Sequence, residues 1–113
     1  MNEATTKEEA RLRAAAQRLA VMLHRQRRDL GLRTPGFWLH AGTLTVLAAR
    51  GQVDGLLAAC ERTPGMLGTP GDFERWPLVQ AALVQFYEAY KAAARHRTAA
   101  PEPRGLLQPD AEG

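Results

Sequence analysis

A chain of 113 residues with 45% apolar side chains is sized for one domain around one modest core. Fifteen Lys and Arg against twelve Asp and Glu leave a formal charge of +3 and an isoelectric point near 9.6, a balance that fits an acidic partner. The single cysteine, Cys60, excludes an intrachain disulfide, no apolar run approaches the ~20 residues of a membrane span, and the opening MNEATTKEEARLR lacks the apolar core of a secretion signal; a soluble cytoplasmic protein with no membrane contact is expected.

Thr6-Lys7-Glu8-Glu9 has the composition of a capping box, in which the Thr6 hydroxyl and the Glu9 carboxylate accept from backbone N–H groups that a first helical turn leaves free. Leu12, Ala16, Leu19, Leu23 and Leu30 follow at helical spacing, and Gly31 suits the left-handed geometry that ends a helix. The first helix is therefore expected over about 7–30, as one full side of a bundle. Thr34 caps a second helix with Pro35 at its first position, where the missing N–H loses no bond. This helix is expected over 35–50, with Phe37, Trp38, Ala41, Leu44, Leu47 and Ala48 on its apolar face. Gly42 lies in its middle at a cost of about 1 kcal/mol relative to alanine, and a close approach by another helix is the expected compensation. Gly51 ends the segment, and a third helix over 52–62 places Val53, Leu56, Leu57 and Cys60 on one side.

Residues 63–71, TPGMLGTPG, raise the question of a phosphate-binding loop. Such a loop needs glycines at set spacing, a terminal lysine and a preceding strand, and here there is no lysine and a helix precedes. The two Pro-Gly pairs read as turns, with Met66 and Leu67 tucked onto the core between them. Asp72 is a candidate cap for the last helical segment, expected over 73–97. Within it Pro77 either starts the main helix or kinks a longer one, and Val79, Leu83, Phe86 and Tyr90 form an amphipathic stripe. Residues 98–113 carry three prolines and no periodicity and read as a disordered tail. No segment alternates as a strand would. The fold class is all-α: a single four- to five-helix bundle over 1–97 with a disordered C-terminal tail.

No catalytic constellation emerges. His24, His40 and His96 fall on three different helices, without the close spacing of a metal site, and His40 lies in an apolar stretch that suits packing. Cys60 falls on the apolar side of its helix and reads as a buried structural thiol. Glu8, Glu9, Asp72 and Glu74 belong to helix starts, where carboxylates complement the dipole. No enzyme activity, metal or cofactor is expected.

The cations are patterned. From Arg11 to Arg33 there are seven arginines and one acid, Asp29. Arg11, Arg18 and Arg25 recur every seven residues and share one helix side, Arg28 lies beside that row, and Arg13 and Arg27 point elsewhere. Lys91, Arg95, His96 and Arg97 form a second cluster near the end of the last helix. A guanidinium row on a stiff helix suits phosphate, which it grips by forked hydrogen bonds without reading bases. Arg11, Arg18, Arg25, Arg28, Lys91 and Arg95 are the candidate nucleic-acid contacts; the bland counterpart is a solvated face with cations complementing helix C-termini. A helix-turn-helix over 35–62 is disfavoured, because QVDGLLAACER offers few donors for bases.

The stretch TPGFWLHAGTLTVLAARG has a proline seven residues before a glycine, Pro35 and Gly42, followed by Leu47 and Ala48. In this pattern, and in being a basic all-helical chain of this length, it resembles the small subunit of type III CRISPR effector complexes. The matched positions are structural and carry over no binding residue. The resemblance implies a non-catalytic subunit that self-associates, packs beside other protein subunits and faces the backbone of single-stranded or guide–target nucleic acid. The alternative is a protein-only adaptor or dimeric interaction module, of host or phage, with no nucleic-acid contact. For it Phe73, Trp76 and Trp38 are the candidate partner anchors, since aromatics dominate interface energetics.

Overall fold

The computed structural model describes residues 6–31 and 34–99, so the expected tail falls, from residue 100 onward, outside the described residues. The described residues form an all-α bundle: α1 Lys7–Arg25, α2 Arg27–Leu30, α3 Pro35–Ala49, α4 Val53–Met66, a 3₁₀ turn Pro70–Phe73, and α5 Pro77–Ala99. No helix among them is long and apolar enough to cross a membrane.

The helix starts follow local chemistry. Glu9 N–H donates to Thr6 Oγ1 at 3.1 Å while Thr6 N–H donates to Glu9 Oε1 at 3.3 Å, so both halves of the capping box form. Thr34 Oγ1 accepts from Phe37 N–H at 3.2 Å, with Pro35 at the first helical position. Pro77 opens α5 and does not kink a longer helix. Asp72 does not cap the last helix: it is the third residue of the 3₁₀ turn that Thr69 caps, and its carboxylate accepts from Thr69 N–H at 2.9 Å. Gly31 and Gly51 follow α2 and α3 at φ of 70° and 68°, where a side chain would be strained.

α1 is the central helix. It packs most extensively on α5 and next on α3; α3 packs on α4, and α4 touches α5 only lightly. Leu12, Leu19 and Leu23 of α1, Phe37 and Leu44 of α3, Leu56 and Cys60 of α4, and Val79, Leu83 and Phe86 of α5 are almost fully buried together. Each such side chain contributes roughly 1.5–3 kcal/mol through apolar area removed from water. Burial pushes the Cys60 thiol up to about 12, with Glu61 adding to the effect, so the sulfur is held as an inert thiol.

Three boundaries depart from the sequence expectation. The first rod is broken at Gln26 (φ −97°, ψ 12°), whose N–H reaches back to Met22 and His24, and Leu30 enters the core from the separate α2. α5 runs to Ala99, past residue 97. The third departure is the largest: α4 passes through Pro64 and ends at Met66, so the first Thr-Pro-Gly of the presumed loop is helix. Pro64 cannot donate to the carbonyl four residues back. The turn persists because Thr63 is buried and tied at both ends: its hydroxyl donates to Ala59 O at 3.0 Å and accepts from His40 Nε2 at 2.8 Å. Leu67 is buried as the expected plug, whereas Met66 is 40% exposed. The return to α5 is held from α5 itself, by Tyr87 Oη donating to Gly68 O at 2.7 Å and Gln80 Nε2 donating to Pro70 O at 3.0 Å. Gly42 also departs from expectation, for a Cβ placed there meets nothing within 4 Å among the described residues.

The His40–Thr63 pair makes stability pH-dependent. Because the Thr63 proton goes to Ala59, His40 donates from Nε2, and it is burial that favours the neutral ring. Burial, with a smaller contribution from Arg62, lowers its pKa below the ordinary 6.5. A depressed folded-state pKa means the unfolded chain takes up the proton first. The contribution is therefore complete above about pH 6.5 and is lost as pH falls through the folded value. In urea titrations, His40→Gln, which retains a donor, is expected to flatten the decline in midpoint just below pH 6.5 that the wild type shows.

Candidate nucleic-acid interface

α1 and α5 pack on each other over large buried side chains, and small residues flank that contact on the solvent side. Ala14 and Ala15 of α1, and Ala89 and Ala92 of α5, floor a shallow groove of about 570 Å³ with Val84. Arg11 and Arg18 rise from one wall and Arg95 from the other, with Glu88 the one acid in the lining. Arg11 and Arg18 are seven residues apart on a regular helix, hence ~10 Å apart along its axis. The structure thus joins two members of the arginine row to one member of the distant C-terminal cluster.

The other candidates are placed differently. Arg25 is exposed at the end of α1; Arg28 is exposed on α2, beyond the break at Gln26, so it no longer belongs to the same rod. Lys91 lines a separate groove between α4 and α5 with Cys60, Glu61, Tyr87 and Tyr90. Among the described residues, none of Arg11, Arg18, Arg25, Arg28, Lys91 and Arg95 is paired with a carboxylate; the ion pairs engage their neighbours. Arg97 is clamped between Glu9, at 2.7 Å, and Asp54, joining α1, α4 and α5 at one end of the bundle, and His96 Nδ1 stands 3.7 Å from Glu8. Burial alone would raise the Glu9 pKa, but the hydrogen bonds from Arg97 and the Thr6 backbone, with the Arg97 charge, bring it below 4.5.

The arginines off the row are the engaged ones. Arg13 Nε donates to Ala48 O at 2.9 Å, satisfying a carbonyl in the last turn of α3, and its guanidinium lies against Gly51. The Arg27 guanidinium sits 5.2 Å from the Trp38 ring centroid, a cation–π distance. On α1, Arg13, which serves the fold, is thereby separated by its angle around the helix from Arg11, Arg18 and Arg25, which face solvent, while Arg27 is engaged from α2.

The aromatic candidates divide as well. Phe73 is completely buried and stacks at a tilt toward Phe37, 6.4 Å away, so it is a core residue and cannot anchor a partner. Its direction is set by the 3₁₀ turn, which packs on α5. Trp76 and Trp38 are half-buried at the edge of the core, Trp38 edge-on to Phe37 at 4.8 Å and Trp76 edge-on to Phe73 at 6.2 Å.

Sequence reasoning missed the groove floor. The signal was present as two alanine triplets, Ala14-Ala15-Ala16 between Arg13 and Gln17-Arg18, and Ala92-Ala93-Ala94 between Lys91 and Arg95. No group of three His, Cys, Asp or Glu placed to hold a metal occurs among the described residues; His24 and His96 are exposed and His40 is buried. No protein-family model and no curated protein matches the chain, and no solved structure matches it.

Proposed function

We propose that the chain is a non-catalytic helical subunit of a nucleoprotein assembly, gripping an RNA or DNA backbone along the α1–α5 groove. The observation that carries this reading is the convergence of Arg11, Arg18 and Arg95 on one surface, exposed and without a carboxylate partner among the described residues. Guanidinium groups spaced along a rigid helix follow a chain of phosphates by forked, charge-assisted hydrogen bonds. The alanines between them admit sugar edges, and with Gln85 and Glu88 the only other polar groups in the lining, most of the contact falls on the backbone and little on the bases. Arg25 extends the same row toward the far end of α1. The assembly envisaged is of the type III CRISPR effector kind, on the strength of the Pro35, Gly42, Leu47 and Ala48 pattern alone.

Salt dependence tests the reading. Fluorescence anisotropy of the full chain with labelled single-stranded RNA is expected to show log affinity falling with log salt at a slope of about −2, for roughly three phosphates neutralised. No binding to RNA or DNA at low salt, or binding indifferent to salt, excludes the α1–α5 groove as a phosphate site.

A further inference from the structure

Fourteen residues, APEPRGLLQPDAEG, follow Ala99 in the sequence. They lie outside the described residues, but the point at which the chain leaves the fold is described. The end of α5 lies beside the start of α1, where Arg97 pairs with Glu9 and His96 faces Glu8, so the two helices run antiparallel along their contact. Arg95 and Arg11 therefore stand at that end of the α1–α5 groove, with Arg18 and Val84 further in. At 1.5 Å per residue, Ala99 is ~6 Å beyond Arg95, and Val84 lies ~22 Å back along α5. Fourteen extended residues reach at most ~46 Å, about twice the length of the groove. Pro101 lacks the N–H that would extend α5.

Composition says which surface such a segment fits. Its three carboxylates, Glu102, Asp110 and Glu112, stand against one cation, Arg104, and Leu106-Leu107 is its one pair of large apolar side chains. The α1–α5 groove has the reverse balance, with Arg11, Arg18 and Arg95 against Glu88. It also offers Val84, 42% exposed, and the alanines to an apolar pair. The groove on the α4 side of α5 does not match, because Lys91 stands there against both Glu61 and Glu88.

We propose that residues 100–113 fold back into the α1–α5 groove, carboxylates on the arginines and Leu106-Leu107 over the alanines and Val84, so that the tail and a nucleic-acid backbone compete for one site. Guanidinium groups take carboxylate and phosphate by the same forked, charge-assisted hydrogen bonds, so a tethered acidic segment is a natural competitor. Glu102, three residues past Ala99, falls within reach of Arg95 and Arg11, and Asp110 and Glu112 within reach of Arg18. The competition rests on reading the groove as a phosphate site; the occupancy does not. A segment that binds at ~0.1 mM and is held at an effective ~1 mM by its tether lowers the apparent affinity for RNA about tenfold.

A nitroxide on Gln108→Cys in the full chain reports occupancy without any nucleic acid. The label goes to position 108, because Cys60 is buried and its thiol stays protonated. At low salt the amide signals of residues 14–18 are expected to broaden well beyond those of residues 57–61 on α4, and salt near ~1 M removes the difference. Glu102→Gln with Asp110→Asn and Glu112→Gln removes it too, and raises affinity for single-stranded RNA about tenfold at low salt. Asp29→Asn with Glu61→Gln and Glu74→Gln, an equal change in charge at exposed sites away from the groove, leaves that affinity nearly unchanged. Broadening that is absent, or equal on the two sides of α5, overturns the proposal. So does a measurable RNA affinity that is the same with and without the tail carboxylates, or an equal gain in both triple variants, which assigns the effect to net charge. Broadening confined to the groove, with no RNA bound by either chain, upholds the occupancy and removes the nucleic-acid reading instead.

Discussion

Changing Arg11, Arg18 and Arg95 together to glutamate is expected to lower affinity for single-stranded RNA at low salt by at least about 100-fold, with the fold intact. Each arginine lost removes a charge-assisted hydrogen bond worth roughly 1.5–3 kcal/mol before solvent screening, and each glutamate gained adds repulsion. Even at about 1 kcal/mol apiece after screening, three losses amount to two orders of magnitude. The salt dependence should collapse along with the affinity, because counterion release requires the cations that are gone. The substitutions fall on exposed helical positions with no intrachain ion pair among the described residues, where changes usually shift stability by no more than about 0.5 kcal/mol. Anisotropy titrations reporting binding, and circular dichroism reporting the fold, separate the two effects. The decisive comparison is with Arg97→Glu. Arg97 belongs to the same basic cluster in sequence but is already held by Glu9 and Asp54, so its reversal should disturb stability and leave RNA affinity nearly unchanged. Equal loss of binding in the two variants would mean that net charge, and not the α1–α5 groove, governs the interaction.

Phe73→Ala is expected to destabilise the bundle by about 3–5 kcal/mol, the range for emptying a fully buried phenylalanine site. Phe73 is 0% exposed and its ring lies 6.4 Å from Phe37 and 6.2 Å from Trp76, joining α3 to the approach to α5. Rigid helices on both sides leave little scope for collapse into the space, so the cavity persists. Against a total stability of ~5–15 kcal/mol such a loss is large, and urea or thermal unfolding will register it directly. Trp38→Ala, at a half-buried site shared with Arg27, should cost less. The contrast distinguishes a core role from an interface role. A surface anchor, once removed, leaves the unfolding midpoint where it was, whereas Phe73 should move it by more than any other aromatic of the segment.

The placement of Phe73 shows where reading by residue type stops. Its neighbours in sequence, Asp72 and Glu74, are polar, and a lone aromatic beside a Pro-Gly turn can face either way. Its direction follows from the 3₁₀ turn that Thr69 and Asp72 close, together with the α5 contacts to Gly68 and Pro70. Pro64 teaches the same lesson from the opposite side. A proline after a long helical pattern is ordinarily a terminator, yet here α4 runs on to Met66, with Thr63 buried on His40 and the last turn closed by Leu67 N–H to Thr63 O and Gly68 N–H to Pro64 O. Gln26 breaks the first rod although glutamine favours helix, and nothing local announces it.

What the amino-acid order determined by itself was whatever acts within one helical turn. The capping box at Thr6 and Glu9, the Thr34–Pro35 start, Pro77 at the head of α5 and the glycines after Leu30 and Arg50 all work between residues at most four positions apart, and all stand where local chemistry puts them. Periodicity likewise marked the buried faces, since the helical angle is the same in any fold. Tertiary structure alone decided which cations became a site. Arg11 and Arg95 are brought to one groove, Arg97 is taken into an ion pair two residues further on, and Gly42 is left facing outward. Those outcomes depend on the rotation and stagger of whole helices against each other. That geometry is set by the summed packing of side chains far apart in the chain, and no short run of residues encodes it.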